Sequence, residues 1–331
     1  MIINKLGTTN IHLSALGIGA WAIGGGGYKY GWGQQDDKDS IATIKRGLEL
    51  GINWIDTAPV YGGGHSEIVV GQAIKGIRNK VILSTKCGLR MAENNEDIIF
   101  DLKKDNIVSE VEKSLKNLKT DVIDLYMIHK PVPEEDIEEA WDTIVDLVKI
   151  GKVRYAGVSS FSLEQLKRIH TIHPVAFLQT EYSMLERSIE PEILDYCARN
   201  GIGIVVYSPM ASGLLTGIFS KERIANLPQD DWRLSEERYT EPYLSANLAL
   251  VERLRPFASM HNRSIGQLAL AWVLRRSEIT SAIVGARRPS QIEETTLAGD
   301  WVLSEEEKKQ IGKILAEHHA SLKKLNTAVG S

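Results

Sequence analysis

Four residue types that together can put a proton on a carbonyl recur in this sequence at one kind of place, the polar end of a short apolar run. Asp56 closes Asn53-Trp54-Ile55-Asp56, Lys86 closes Val81-Ile82-Leu83-Ser84-Thr85-Lys86, and His129 closes the run that begins at Val122. Ser159, Gln179 and Tyr207 end three further runs, and Tyr61 lies in the glycine-rich stretch just past Asp56. A phenol with a pKa of roughly 10 is a poor acid–base catalyst near neutrality. A nearby ammonium stabilises the phenolate, and lowering that pKa by about 2 takes roughly 2.7 kcal/mol of differential interaction. Lys86 is expected to supply this to Tyr61, Asp56 to keep the lysine charged and aimed, and His129 to hold a carbonyl oxygen beside the phenol. That is equipment for protonating a carbonyl while another group attacks carbon. Each residue alone has a plainer reading: a strand-end Asp caps the next helix, a strand-end His is satisfied structurally, a lone loop Tyr packs or faces solvent. The functional reading rests on all of them converging at one mouth.

Convergence requires a scaffold, and the chain has the pattern of one. Short apolar runs alternate with stretches of helical spacing: Leu16–Gly19, Asn53–Asp56, Val81–Lys86, Val122–His129, Val153–Ser159, Val175–Gln179, Gly203–Tyr207 and Ala282–Val284 read as strands. Between and after them His65–Ile77, Asn106–Leu118, Ile137–Ile150, Leu163–His170, Pro191–Asn200, Ile265–Arg275 and Gln291–Leu297 read as helices. Regular strand–helix alternation argues for a parallel sheet covered by helices, and eight units predict an α/β fold of the closed (β/α)₈ TIM-barrel type; an open doubly wound sheet is the rival. Ser162 and Ser290 precede helices as caps, and Gly151 and Gly201 follow them. Residues 4–13 read as an N-terminal hairpin turning at Gly7 to Asn10, residues 210–240 as a long loop after the seventh strand, and Leu244–His261 as an extra helix. With no linker in sight, one domain over 1–331 is expected.

The composition is ordinary: 331 residues, 43% hydrophobic, 25% charged, formal net charge −4. There is no basic surplus, so no nucleic-acid partner is expected. Two cysteines, Cys87 and Cys197, make neither a disulfide framework nor a zinc pattern and fit a reducing interior. No charged leader runs into a long apolar core and no stretch is apolar enough for a membrane, so the cytoplasm is the expected location. Cys87 should point away from Lys86 and be structurally buried, while His170 with His173, and His318-His319, are expected at solvated helix ends; no metal is expected.

Leu16-Gly17-Ile18-Gly19-Ala20-Trp21, Asn53 through Ala58, Tyr61-Gly62, Ser66-Glu67, Ser84-Thr85-Lys86, Asp121 through His129, Gly157 through Phe161, Tyr207-Ser208-Pro209 and Ile283-Val284-Gly285-Ala286 follow one another in a recognisable order. In these, over nearly its whole length, the chain resembles the aldo-keto reductases, and within them the bacterial branch that includes inositol-operon and general-stress reductases. The resemblance implies a catalytic tetrad of Asp56, Tyr61, Lys86 and His129, with Tyr61 as proton donor, and NADP-dependent reduction of an aldehyde or ketone, a sugar or keto-sugar among the options, by hydride transfer from the nicotinamide. It also implies a cofactor pocket. Ser159 and Gln179 should bond the nicotinamide amide and Tyr207 stack on its ring; Ser208, Leu214 and Gly217 should follow the pyrophosphate; Gly285, Arg287, Gln291 and Glu294 should hold the adenosine end. Gly19, Ala20, Trp21, Asp56 and Pro209 complete the contacts. Arg288 adds a second cation beside Arg287, and a guanidinium fork suits a 2′-phosphate, so NADPH is favoured over NADH.

Two positions depart from the pattern: Ser160 and Thr295 stand where the family commonly has Asn, the first at the nicotinamide, the second at the adenine, so Ser160 and Thr295 are carried as weaker cofactor contacts. Lys130 replaces a common aromatic and puts a positive charge at the substrate mouth. The substrate set is therefore Trp21, Tyr28, Trp32, Tyr61, His129 and Lys130, drawn partly from the aromatic loop at residues 21–34, with Tyr30 beside them. Trp232, Arg233, Arg238 and Tyr239 are candidates to close over the site. Gly17-x-Gly19-x-x-Ala22 is not a dinucleotide fingerprint, because it runs into Gly24–Gly27 rather than opening a helix. Two other classes stay open: a Schiff-base aldolase using Lys86, disfavoured because Asp56 keeps the lysine protonated, and a nicotinamide-binding regulatory protein with little turnover. The partner is a small carbonyl compound; oligomeric state is not legible.

Overall fold

A computed structural model describes residues 1–28, 30–92, 97–229 and 231–329. Among them, eight parallel strands close into a barrel: β1 (Leu16–Gly19), β2 (Trp54–Asp56), β3 (Ile82–Cys87), β4 (Ile123–Ile128), β5 (Val153–Ser159), β6 (Phe177–Glu181), β7 (Gly203–Tyr207) and β8 (Ile279–Gly285). Each pairs with its neighbour in sequence, and β8 pairs back onto β1 with Ile283 opposite Gly17, which shuts the ring. The strands are nearly continuous apolar runs because both faces are covered, the inner by the barrel's own side chains and the outer by helices.

The outer layer is α1 (Asp37–Glu49), α2 (His65–Ala73), α3 (Lys104–Leu118), α4 (Ile137–Lys149), α5 (Leu163–Ile172), α6 (Ile193–Asn200), α7 (Ile265–Val273) and α8 (Pro289–Thr296). Along β4, Tyr126 and Ile128 face these helices while Leu125 and Met127 face inward. The inner floor joins Trp54, Leu125, Met127, Phe177, Val205 and Ile283. Two glycines make room for its largest rings: a Cβ on Gly17 would lie 2.0 Å from the Trp54 indole, and one on Gly157 would lie 2.5 Å from Phe177. The antiparallel hairpin Ile3–Lys5/His12–Ser14 stoppers that end, with Leu6, Ile11 and Leu13 packed into the same cluster.

The expected barrel, hairpin and extra helix (Tyr243–Met260) are all present. Ser162 caps α5 in a reciprocal box with Gln165, and Gly201 ends α6 in the left-handed conformation. Ser290 is not a cap: α8 starts earlier, with Pro289 as its first residue, where the missing N–H costs nothing. Besides the short helix Lys221–Ala225 inside the long loop, three elements escape the sequence reading. Helix α1 was signalled by Asp36, whose carboxylate accepts from Lys38 N and Asp39 N. Helix Glu305–Val329 was signalled by Ser304 and Glu307, whose side chains bond each other's backbone N–H. A second small hairpin pairs Leu89–Met91 with Ile98–Phe100. His318 is not at a solvated helix end: it is buried within its helix, with Nε2 3.0 Å from Asn247 Oδ1.

A buried polar seam runs outside β3 and β4. Glu67 accepts from Thr85 Oγ1 at 2.8 Å and from Asn117 Nδ2 at 3.0 Å, while Glu110 Oε2 accepts from Gly88 N at 2.6 Å. Glu110 Oε1, Ser114 Oγ and Tyr126 OH are buried there without partners. Burial pushes the Glu110 carboxyl up to about 7. Cys87, expected to turn away from Lys86, is fully buried on this side. No helix of the described residues is long and apolar enough to cross a membrane.

Candidate active site

Alternation along the strands decides which polar groups meet inside the barrel. Asp56 ends β2 and Lys86 is the penultimate residue of β3, both turned inward; Tyr61 opens the short 3₁₀ turn Tyr61–Gly64; His129 directly follows β4. Lys86 Nζ donates to Asp56 Oδ2 at 2.6 Å and to Thr57 O at 2.8 Å, and reaches Tyr61 OH at 3.4 Å. Asp56 Oδ1 accepts from Ser84 Oγ at 3.1 Å and Gln179 Nε2 at 2.8 Å. The ion pair is sealed from solvent, with the lysine 1% exposed and the aspartate 4%. A buried pair this well bonded is held rigidly, and removing either partner would strand the other. The His129 ring stands edge-on to Tyr61 with centroids 5.9 Å apart, and its Nδ1 is buried without a partner.

The electrostatics correct one expectation. Lys86 was expected to draw the phenol down, but Tyr61 lies well above the usual tyrosine range. Burial is the main cause, followed by the Asp56 carboxylate and the Tyr207 phenol. Lys86 cannot offset them because its shorter contact goes to Asp56. Burial also lowers Lys86, opposed by Asp56, and holds His129 well below the usual histidine range with help from Lys86 and Lys130. The resting site therefore presents a neutral phenol and a neutral imidazole side by side.

Beyond the tetrad, Ser159 is buried at the end of β5 and Ser160 follows it with left-handed φ of 60°. Ser160 Oγ lies 3.4 Å from Ser159 Oγ, 3.2 Å from Tyr207 OH and 3.0 Å from Lys130 Nζ. With Nε2 on Asp56, Gln179 has its Oε1 left for a further donor. After β7 the backbone passes through the left-handed region at Ser208 (52°), Ala211 (47°) and Ser212 (49°), and again at Gly217 (79°). Such conformations cost about 1–3 kcal/mol each in non-glycine residues and cluster where a backbone is shaped around a ligand. Pro209 and Leu214 are buried beneath this loop.

At the start of α8, Gln291 Oε1 accepts from Arg287 N and Arg288 N. The Arg287 guanidinium donates to Gln35 Oε1 at 2.7 Å and to Gln34 O, tying the first loop to the last. Among the described residues neither Arg287 nor Arg288 has a carboxylate within salt-bridge reach. Gly285 and Glu294 are exposed beside them. Thr295 turns inward instead, buried, with its hydroxyl bonded to Gln291 O and Ile292 O. Gly19 and Ala20 are buried at the end of β1.

The mouth is aromatic. Trp21 stacks on Trp232 at 5.7 Å and more loosely on Tyr61 at 6.4 Å, and Trp32 stands edge-on to both tryptophans. Trp232 thus belongs to this wall, brought by the long loop after β7. Arg233 lies buried beneath Trp32, 4.6 Å from its ring, and pairs with Asp231. Arg238 pairs with Glu181, and Tyr239 OH donates to Ala211 O, so these two hold the loop down. Tyr28 has its hydroxyl 3.3 Å from Trp21 O and close to Gly24, beside the Tyr61 backbone. Thr57 and Ser84 entered the sequence reading only as part of the family pattern, with no role assigned, and the contacts of Gln34 and Gln35 were missed. Ser84 was findable: two residues before Lys86 on a strand, it must share its face.

The sequence model of the Aldo/keto reductase family matches residues 15–316. The aldo-keto reductase YhdN of Bacillus subtilis is 38% identical over 314 residues, covering 94% of this chain and 92% of that protein. The NADH-specific methylglyoxal reductase of Escherichia coli is 34% identical over 313 residues, 91% of this chain and 94% of that one. Among solved structures, a glycerol dehydrogenase from Gluconobacter oxydans superposes with a TM-score of 0.86 at 35% identity, covering 96% of this chain and 95% of that chain.

Proposed function

The chain belongs to the aldo/keto reductase family, and from that premise we propose that it reduces a small aldehyde or ketone to the alcohol with NADPH as reductant. The observation that carries the reading is the sealed Lys86–Asp56 pair set beneath Tyr61, with a neutral His129 alongside.

The residues present fit a phosphorylated dinucleotide. Arg287 and Arg288 lack carboxylates among the described residues, and the left-handed run at Ser208, Ala211 and Ser212 shapes a backbone cradle. Ser159, Ser160, Gln179 and Tyr207 would hold the nicotinamide end, and Gly217 and Leu214 would flank the pyrophosphate. When bound, NADPH supplies the hydride that adds to the carbonyl carbon. Tyr61 and His129 bind the carbonyl oxygen by hydrogen bonds and orient it. As negative charge grows on that oxygen, the Tyr61 proton moves to it. The phenolate left behind gains the attraction of Lys86, 3.4 Å away, which the neutral phenol could not use. Asp56 keeps Lys86 in place through this change, and Ser84 and Gln179 keep Asp56 in place.

The 2′-phosphate preference rests on the arginine pair, against a relative named NADH-specific. The Schiff-base alternative is disfavoured by the burial of Lys86, whose amine donates to Asp56 and Thr57 O and otherwise faces the Tyr61 hydroxyl. The test is consumption of NADPH and NADH across aldehydes, ketones and sugars, beside Tyr61→Phe. Tyr61-dependent turnover supports the reading. Tight nicotinamide binding without turnover on any carbonyl would move the protein to the regulatory class.

A further inference from the structure

Lys130 follows His129 directly, so its side chain leaves the barrel mouth one residue from the imidazole at the site. It is half-buried, with Nζ 3.0 Å from Ser160 Oγ and 5.9 Å from the centre of the Tyr207 ring. A hydroxyl and an aromatic face can steer an ammonium but do not neutralise it. The acidic group whose charge is felt at Lys130, Glu181, is committed to Arg238 at 3.0 Å, and among the described residues no carboxylate comes within salt-bridge reach of Lys130. A cation taken partly out of water without a counter-ion is costly, and the cost is recovered when an anion arrives.

The cofactor does not bring that anion on the reading above. Its phosphates would lie by Ser208–Gly217 and by Arg287, whereas the end near Ser160 and Tyr207 carries a neutral amide. The other molecule entering beside His129 is the substrate. We propose that Lys130 is the counter-ion for a carboxylate or phosphate on the substrate, so that the preferred carbonyl compounds are short aldehydes or ketones with an acidic group a few bonds from the carbonyl carbon. This rests on the reductase reading. The chemistry is unchanged: hydride adds to carbon, the Tyr61 proton goes to oxygen, and the acidic group only binds. The tryptophan wall formed by Trp21, Trp32 and Trp232 would cover the carbon chain between the two ends.

The experiment compares matched pairs: succinic semialdehyde against butanal for a carboxylate, and glyceraldehyde 3-phosphate against glyceraldehyde for a phosphate. Wild type is expected to favour at least one charged member by about 10- to 100-fold in kcat/KM. In Lys130→Met that ratio should collapse towards one, mainly through KM, and in Lys130→Arg most of it should survive. The pair that shows the effect identifies the acidic group. Turnover of the neutral aldehydes with no preference for either charged partner overturns the anion site and leaves the reductase reading standing. So does an equal loss on charged and neutral members in Lys130→Met. NADPH affinity, followed by protein fluorescence, separates the last alternative: a matching loss of cofactor binding would assign Lys130 to the nicotinamide and overturn the proposal. Failure of wild type on both charged compounds overturns the anion site, and failure across the wider panel of aldehydes, ketones and sugars as well sinks the reductase reading with it.

Discussion

Lys86 gives its shortest contact, 2.6 Å, to Asp56 Oδ2, and only a 3.4 Å contact to the tyrosine it was expected to acidify. Its charge is answered before it reaches the phenol. The lysine therefore does little for the resting acid and most for the phenolate, which appears only as the proton leaves.

Asp56→Asn should accordingly damage both stability and turnover. Stranding a sealed lysine costs about 3–5 kcal/mol. Adding Lys86→Met to Asp56→Asn should restore much of the stability and none of the activity. Denaturant unfolding of wild type and the two variants checks this; a single mutant as stable as wild type would contradict the buried pair.

Tyr61→Phe removes the proton donor and little else. Turnover should fall by about 10²- to 10⁴-fold while nicotinamide binding holds within a few-fold. Steady-state rates and a fluorescence titration decide it, and near-normal turnover would remove Tyr61 from the mechanism.

Arg287→Ala with Arg288→Ala should weaken NADPH by on the order of 100-fold and NADH by only a few-fold. Equal losses would show that the pair does not read the 2′-phosphate.

Histidine normally titrates near pH 6.5, but burial holds His129 well below that value, so it stays neutral through the physiological range. Tyr61, held above the usual range, keeps its proton there too. The kcat/KM profile for reduction should show no limb from either group between about pH 6 and 9. An acidic limb near 6.5 that vanishes in His129→Gln would refute the assignment.

Glu110 gives a pH effect on stability. Its carboxyl sits at about 7 in the folded chain against an ordinary 4.5, so the folded state holds the proton more tightly. Stability should fall as pH rises from 4.5 to about 7 and then level off, by on the order of 3 kcal/mol in all. Glu110→Gln keeps an oxygen for Gly88 N and should flatten that fall, as seen in melting curves across the window. An unchanged slope would place the titrating group elsewhere.

Much of the site was legible because strand periodicity is rigid. Once Asp56 and Lys86 were read at strand ends, the closed ring left them no place to point but the same mouth, and His129 followed from the next strand. What escaped had other causes. Thr295 lies on the helix bearing Gln291 and Glu294, but its phase on that helix turns it into the core, which a residue-by-residue resemblance does not resolve. The tuning of Tyr61 was misjudged because a charge pattern says nothing of burial, and here burial outweighs the nearest cation. Trp232 was named as a candidate to close over the site, but its stacking on Trp21 could not be read, because the loop's path is set by Arg233–Asp231 and Tyr239, tertiary contacts with no period to betray them. Helix α1 was overlooked though its cap was written at Asp36.

The stopper beneath the barrel sets an order of assembly. Residues 3–14 leave the ribosome long before the chain that receives them. Thr8 N bonds Gly201 O, Asn4 Nδ2 bonds Thr280 O, and Ile2 N bonds Gly299 O. The hairpin can seat only after the far strands with which it bonds have been synthesised. Until then the apolar floor is bare, and nascent chains of intermediate length expose it to every neighbour. Seating the plug is therefore a late step, because its partners are far from it along the chain.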